Sequence, residues 1–378
     1  MYNNKKIKMS LEEENNLNEE KNRTTINVDK YLKYNPEKYK DKGITGLQNL
    51  VNTCFMNSLL QCLSHTYELN EFLDNGNINE KFNRKPETVI LHEWDELRKL
   101  MWSSNCIIKP GRFLTKMKKI ARIKDRILFT GFLQNDLCEF LIFIMDCFHN
   151  AIERQVEMNV VGEPVTSLDK LAVKSYEMMQ NIYKNEYSEF LELFYGISIS
   201  EINSLESSYQ SITPEPFFLL NLAIPKNSGE KNIYDCFDLH VKSEKLGDDN
   251  QFFNEESGKK ENVEKKLSFW KLPNVLIFTL KRFSNECQKN NEFIDFPLNG
   301  LDLSKYVKGY DAEKYVYDLY AVCYHLGQFN GGHYLAHIKN ANGKWYEFND
   351  EDVEETTSGS GKSFRGRQAY CFFYRKRQ

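Results

Sequence analysis

Hydrophobic residues recur at helical spacing in the first half of the chain. Between Cys54 and Leu63, the side chains of Phe55, Met56, Leu59, Leu60 and Leu63 form one apolar face, with Asn52 or Thr53 placed to cap the start. Val89–Met101 and Asn135–Phe148 show the same amphipathic pattern. From Phe217 the period shortens. Phe217–Ile224, Leu276–Leu280, Tyr317–Tyr324, His333–Ile338, Lys344–Phe348 and Tyr370–Tyr374 are short and rich in β-branched or aromatic residues, which predicts strands. Helices first and strands later predict an α+β fold. The polar stretches Lys226–Lys231 and Asp248–Lys266 predict loops or exposed hairpin tips. Residues 1–40, dominated by Asn, Lys and Glu, predict a solvated, disordered tail, and residues 41–378 a single globular domain.

Composition narrows the functional classes. With 41% hydrophobic and 13% aromatic residues in 378, the chain can bury a sizeable core. Lys and Arg number 50 and Asp and Glu 54, a balance that argues against nucleic-acid binding through broad positive charge. The longest apolar runs, such as Val275–Leu280, are far short of a membrane span. No apolar stretch follows the initial Met1-Tyr-Asn-Asn-Lys-Lys, so no secretory signal is expected. Nine cysteines form no C-x-x-C pair, which argues against a disulfide framework or a four-Cys zinc site. The expectation is a reduced intracellular protein, cytoplasmic or nuclear, monomeric, with no cofactor, no metal, and no nucleic-acid or membrane partner.

Two local patterns carry chemistry. Cys54 follows the turn-forming stretch Gln48-Asn-Leu-Val-Asn-Thr53 and opens an apolar helix. A thiol there sits at the positive end of the helix dipole, which favours the thiolate. Unpaired backbone N–H groups at the same end can stabilise a developing oxyanion. The second pattern is His325-Leu-Gly327 and Gly331-Gly-His333-Tyr334, on either side of a short polar loop. Glycines there admit close backbone approach and leave an imidazole accessible. A hairpin centred on Ala341 sets His333 opposite Asn349, a Cys-His-Asn arrangement in which Asn349 fixes the imidazole. A tight Asn342-Gly343 turn sets Asp352 opposite instead, and spacing leaves the two registers open.

Gly46-Leu-Gln-Asn49-Leu-Val-Asn-Thr-Cys54-Phe-Met-Asn-Ser-Leu-Leu-Gln61 closely resembles the Cys box of the ubiquitin-specific proteases. Tyr320 to Tyr334, with Trp345-Tyr-Glu-Phe-Asn349-Asp350 behind it, resembles their His box. Between these lie Gly131-Phe-Leu-Gln134-Asn-Asp136-Leu-Cys-Glu139, Leu193-Phe-Tyr-Gly196, Leu272 to Phe283 and Phe296 to Leu303, each resembling a family segment in the family's order. The resemblance, from Gly43 to Lys376, implies a papain-like fold with thumb, palm and fingers, and hydrolysis of the bond after the terminal Gly of ubiquitin. It implies Cys54 as nucleophile, His333 as base and then acid, Asn349 as the orienting residue in the Ala341-centred register, and Asn49 as oxyanion donor with the Cys54 N–H. Asp350 matches an acidic position that helps hold His333 or polarises water. Gln134, Asp136, Glu139, His325, Gly332 and Tyr334 are expected to bind the ubiquitin tail, the carboxylates meeting its arginines. A catalytically weak ubiquitin-binding module, or a protease for another ubiquitin-like modifier, are the alternatives. Two departures stand out. Val51 occupies a position where the family carries Gly, and a β-branched residue tolerates positive φ poorly. The fingers of many members bind zinc through two C-x-x-C pairs, whereas Ser198–Ser211 and Gln251–Lys266 contain no Cys. Fingers held by strand pairing and packing alone are expected.

Overall fold

A computed structural model describes residues 6–15, 22–226, 229–284, 286, 288–328, 331–356 and 366–378. Helices Cys54–Ser64, Tyr67–Asn75, Thr88–Ser103, Gly111–Ile123 and Leu137–Ile152 pack into one helical region, the thumb. The predicted helices are thus present, with ends shifted by up to four residues. The Cys54–Ser64 helix differs from the one-faced amphipath expected, because all eleven of its residues are buried. It lies between the other helices and a β-sheet, so its polar side chains must find partners inside. Gln61 Nε2 donates to the Thr45 carbonyl at 2.6 Å, and Asn57 Nδ2 to the Leu47 carbonyl at 3.1 Å.

The palm is a sheet ordered Asp352–Thr356, Trp345–Asn349, Gly331–Lys339, Val316–Gln328, Ala369–Lys376, Val275–Leu280 and Leu219–Leu222. Its neighbours are antiparallel except the last pair. Val275–Leu280 is buried at all six positions. Val275 and Ile277 join the thumb core, while Leu276, Phe278 and Leu280 face a second core under the Ile233–Val241 helix. A strand covered on both faces reads as a continuous apolar run, as this one does.

The fingers are a sheet of Glu244–Leu246, Val263–Lys271, Gly196–Ser204 and Gln210–Phe217. The stretch expected as a loop up to Lys266 therefore ends earlier, at the start of the Val263–Lys271 strand. Within it, Phe252–Asn254 pairs with Lys259–Glu261 as the expected tip.

The amino-terminal stretch is a correction. Residues 1–5 and 16–21 lie outside the described residues, but the rest does not form a solvated tail. Lys8–Asn15 pairs antiparallel with Glu157–Val161, and Ile7, Tyr31 and Tyr39 are buried. Ile7 packs with Ile197, Ile199 and Trp270, beside the Ser167–Tyr183 helix that supplies Ala172 and Met179 to the same cluster. Local composition hides this order, because the partner strand lies about 150 residues away in sequence. Residues 150–190, for which the sequence offers no functional reading, build the platform that receives this strand. Ile7→Ala is expected to destabilise the protein by about 2–5 kcal/mol in chemical denaturation, the scale of truncating a buried Ile. A free tail would give no change.

Candidate active site

Cys54 lies at the first position of its helix and is 3% exposed. The loop before it is tied by its own side chains. Thr53 Oγ1 accepts from the Leu50 N–H at 2.8 Å, and Asn49 Oδ1 accepts from the Thr53 N–H at 3.2 Å. Closing this loop takes two successive left-handed residues, Val51 at φ 66° and Asn52 at φ 56°. Asn tolerates that region, whereas Val pays a steric cost on the order of 1–3 kcal/mol. The turn has therefore not been remodelled around valine. Val51 is 62% exposed, so packing returns little of that cost.

His333 is brought to Cys54 by the palm hairpin. The ladder pairs Ala336 with Phe348 and Lys339 with Trp345, which centres the hairpin on Asn342. This corrects both registers derived from spacing. The loop has three residues, Ala341 to Gly343, with Gly343 at φ 84° as such loops require. Asn349 is still the partner, reached diagonally: His333 Nε2 donates to Asn349 Oδ1 at 2.6 Å. Nδ1 is then the ring nitrogen free to exchange a proton with sulfur. The Cys54 sulfur hydrogen-bonds the imidazole, and that contact does most to raise its pKa to about 9, against the opposing effect of burial. The Asn349 bond and the charges of Cys54 and Asp350 add to the rise. By contrast, burial pushes the thiols of Cys147, Cys236, Cys323 and Cys371 up.

Asp350 does not hydrogen-bond His333. Its carboxylate spans two asparagines, accepting from Asn49 Nδ2 at 2.8 Å and from Asn57 Nδ2 at 2.7 Å. Its carbonyl accepts from the Leu47 N–H at 2.7 Å. One hydrogen of the Asn49 amide is thereby held by Asp350, and the other remains to act as a donor. Asn57 was not among the residues singled out from sequence. Its signal was an amide within an apolar helix that turns out to be buried on all sides.

A cleft of about 700 Å³ opens beside these groups, lined in part by Gln134, Glu139, His325, Gly332 and Tyr334. Gln134 bridges it, donating to the Gly332 carbonyl at 2.8 Å and accepting from the Gly332 N–H at 2.9 Å. Gly332 is obligatory here, because a Cβ would lie 2.3 Å from His325 Nε2. His325 is itself buried against Phe283 and Tyr334 and held neutral, its pKa lowered to about 4 chiefly by burial. It supports Gly332 from beneath. Asp136 is fully engaged: Oδ1 caps the Leu137–Ile152 helix through the Cys138 and Glu139 N–H groups, and Oδ2 accepts from the Tyr370 and Tyr334 hydroxyls at 2.7 and 3.2 Å. Glu139 is exposed. Among the described residues, no three His, Cys, Asp or Glu side chains cluster as metal ligands, and no helix is long and apolar enough to cross a membrane.

Thumb, palm and fingers around a Cys–His–Asn constellation define a papain-like cysteine-protease fold. A family profile described as ubiquitin carboxyl-terminal hydrolase matches residues 45–374. The chain belongs to that family. It is 34% identical over 347 residues to ubiquitin carboxyl-terminal hydrolase 2 of Homo sapiens, an alignment covering 88% of this chain and 55% of that protein. For the Gallus gallus protein of the same name the identity is 35%, covering 88% and 93%. The chain spans about half the length of most hydrolase 2 relatives it matches. Among solved structures, a SAGA DUB module of Ubp8, Sgf11, Sus1 and Sgf73 bound to monoubiquitin superposes with a TM-score of 0.69 at 26% identity, covering 89% of this chain and 70% of that one. The module bound to ubiquitin aldehyde gives 0.68 at 25% identity, covering 92% and 72%.

Val51→Gly is expected to keep the turn and remove its steric cost, less the roughly 0.5–1 kcal/mol of added glycine entropy. A net gain of about 1 kcal/mol corresponds to a Tm rise of about 1 °C in a chain of this size, with kcat/KM unchanged or higher. A large rate loss at unchanged Tm would instead show that the Val51 side chain holds the loop.

Proposed function

We propose that this protein is a thiol-dependent deubiquitinase that cleaves the peptide or isopeptide bond following the terminal glycine of ubiquitin. The observation that carries this reading is the Cys54 sulfur at a helix start, hydrogen-bonded to an imidazole whose far nitrogen is held by Asn349. The thiolate attacks the glycine carbonyl while the His333 imidazolium keeps the proton that left sulfur. The tetrahedral oxyanion is met by the Cys54 backbone N–H and the free hydrogen of Asn49 Nδ2. His333 then protonates the leaving lysine amine, and as a neutral base it draws the proton from the water that releases ubiquitin from sulfur. Asn349 holds the ring in the orientation both steps need. Asp350 acts one contact away, positioning Asn49.

The ubiquitin tail lies in the cleft bridged by Gln134 and Gly332, which admits a flexible chain ending in glycines. Glu139 offers its exposed carboxylate to a tail arginine. The Asp136 carboxylate already has four donors, so it serves mainly to fix the thumb helix to the palm. The scheme needs no group from a second copy, and we read the protein as acting as a monomer. A thiolate nucleophile suits a reducing compartment, the cytoplasm or nucleus.

Ubiquitin carrying an electrophile at its C-terminus should become covalently attached to the wild-type protein. Cys54→Ala should form no adduct and still bind ubiquitin. An adduct on Cys54→Ala would reject the assignment. His333→Ala should lower kcat/KM by roughly 10²–10⁴, and Asn349→Ala by less.

The raised His333 pKa sets a pH dependence. The protonated ring is favoured in the fold, so its contribution to stability is complete below about pH 6.5 and is lost as pH rises through about 9. The rate should fall with a basic limb near pH 9. In Asn349→Ala the limb should move to lower pH, because a contact favouring the imidazolium is gone. An unmoved limb would mean that Asn349 does not act on His333.

A further inference from the structure

Two loops of the fingers, distant in sequence, meet on one carboxylate. From the first, Ser204 Oγ and Ser207 Oγ donate to Glu261 Oε2 at 2.5 and 2.7 Å. From the second, Asn254 Nδ2 and Ser257 Oγ donate to Glu261 Oε1 at 2.7 and 2.9 Å. Each oxygen takes two donors, and each pair of donors is spaced i and i+3. The two loops also share a backbone form. Ser204 Oγ accepts from the Glu206 and Ser207 N–H groups at 3.0 Å each, and Asn254 Oδ1 accepts from those of Glu256 and Ser257 at 2.9 and 3.3 Å. Glu261 is 6% exposed. Its carboxyl is held at about 2, first by the two serines, with Ser257 and Asn254 adding to the effect against the opposing effect of burial. A charge so placed must be met by donors on every side, and four are present.

The spacing x-x between paired ligands, repeated in two loops converging on one centre, is that of a zinc knuckle. Ser204, Ser207, Asn254 and Ser257 stand where such a knuckle carries cysteine. We propose that Glu261 takes the place of a metal ion, its carboxylate serving as an internal anionic hub that clamps the tips of the fingers. The charge pattern is inverted: a zinc ion draws in four anionic ligands, whereas Glu261 draws in four neutral donors. The hub closes Ser204 to Ser207 against Asn254 to Glu261, at the outer end of the Gly196–Ser204 and Val263–Lys271 pair. Strand pairing and packing alone therefore do not hold the fingers. Glu261 is a positioning residue, remote from the reacting atoms.

The test uses the full chain and two substrates. In Glu261→Ala, amide hydrogen exchange should speed up across both loops and little elsewhere. Resting on ubiquitin as substrate, KM for a fluorogenic ubiquitin conjugate should rise roughly tenfold, the scale of losing hydrogen bonds to a charged group. The kcat should hold, as should cleavage of a short fluorogenic peptide ending in Gly-Gly, which does not reach the fingers. Glu261→Gln, keeping one acceptor oxygen, should fall between. The decisive variant combines Ser204→Cys, Ser207→Cys, Asn254→Cys, Ser257→Cys and Glu261→Ala. It should bind one zinc per chain, show the tetrahedral absorption of cobalt when loaded with that metal, and regain slow exchange in both loops. It also answers the case in which Glu261→Ala fails to fold. Unchanged exchange in Glu261→Ala, or no metal taken up by the four-cysteine variant, would overturn the proposal. Exchange results stand even if the wild-type protein cleaves neither substrate, an outcome that would instead reject the deubiquitinase reading.

Discussion

The arrangement of Cys54, His333 and Asn49 depends on one carboxylate at the seam between thumb and palm. Asp350 sits in the turn after Asn349, at φ 54°, between the Trp345–Asn349 and Asp352–Thr356 strands. Its side chain holds the loop before Cys54 through Asn49 and the Cys54 helix through Asn57, and its carbonyl holds Leu47. The neighbouring residue, Asn349, holds the imidazole. Two consecutive side chains of one turn therefore set the positions of Cys54, His333 and Asn49 together. Cys54 and His333 come from segments nearly 280 residues apart, and in the proposed chemistry a shift of about 1 Å between them would remove much of the benefit of proximity.

Rigidity at that seam offsets strain in the loop it holds. Val51 stays left-handed because Asn49 and Thr53 bracket the turn by hydrogen bonds and Asn52 is pinned to the Phe132 carbonyl at 2.9 Å. Strain of this kind persists only where surrounding contacts over-determine the backbone. The loop's conformation is thus imposed from outside, by Asp350 on one side and by the segment before Gln134 on the other.

Much of this was legible in the sequence, and the failures have physical causes. Cys54 declared itself by polar turn residues meeting an apolar helix, and His333 by its flanking glycines. The partnership with Asn349 was legible while its register was not, because a three-residue loop shifts the ladder and lets a diagonal pair replace a directly opposed one. Roles that depend on what else touches a side chain could not be read. Asp136 looked free for substrate, but two tyrosines distant in sequence and its own helix N-terminus already occupy it. His325, expected to bind the ubiquitin tail, lines the cleft as a buried, neutral ring beneath Gly332. The amino-terminal strand was hidden because a sparse apolar pattern becomes a strand only when a distant edge completes it.

Asp350, Asp136 and Glu261 share one role: each carboxylate ties together segments distant in sequence through several hydrogen bonds at once. A carboxylate accepts several hydrogen bonds in fixed directions, and charge-assisted bonds are roughly twice as strong as neutral ones. It can therefore organise a junction that packing cannot. A metal ion does the same with stronger bonds, but it couples folding to metal supply and to the redox state of its thiolates. A carboxylate hub is free of both, at the cost of acid sensitivity. For Glu261, whose pKa is lowered in the fold to about 2 from 4.5, the hub contributes fully above pH 4.5 and its contribution is lost as pH falls toward 2. Near neutral pH that cost is never incurred, so clamping the fingers through hydrogen bonds adds no metal-binding thiolates to the fold.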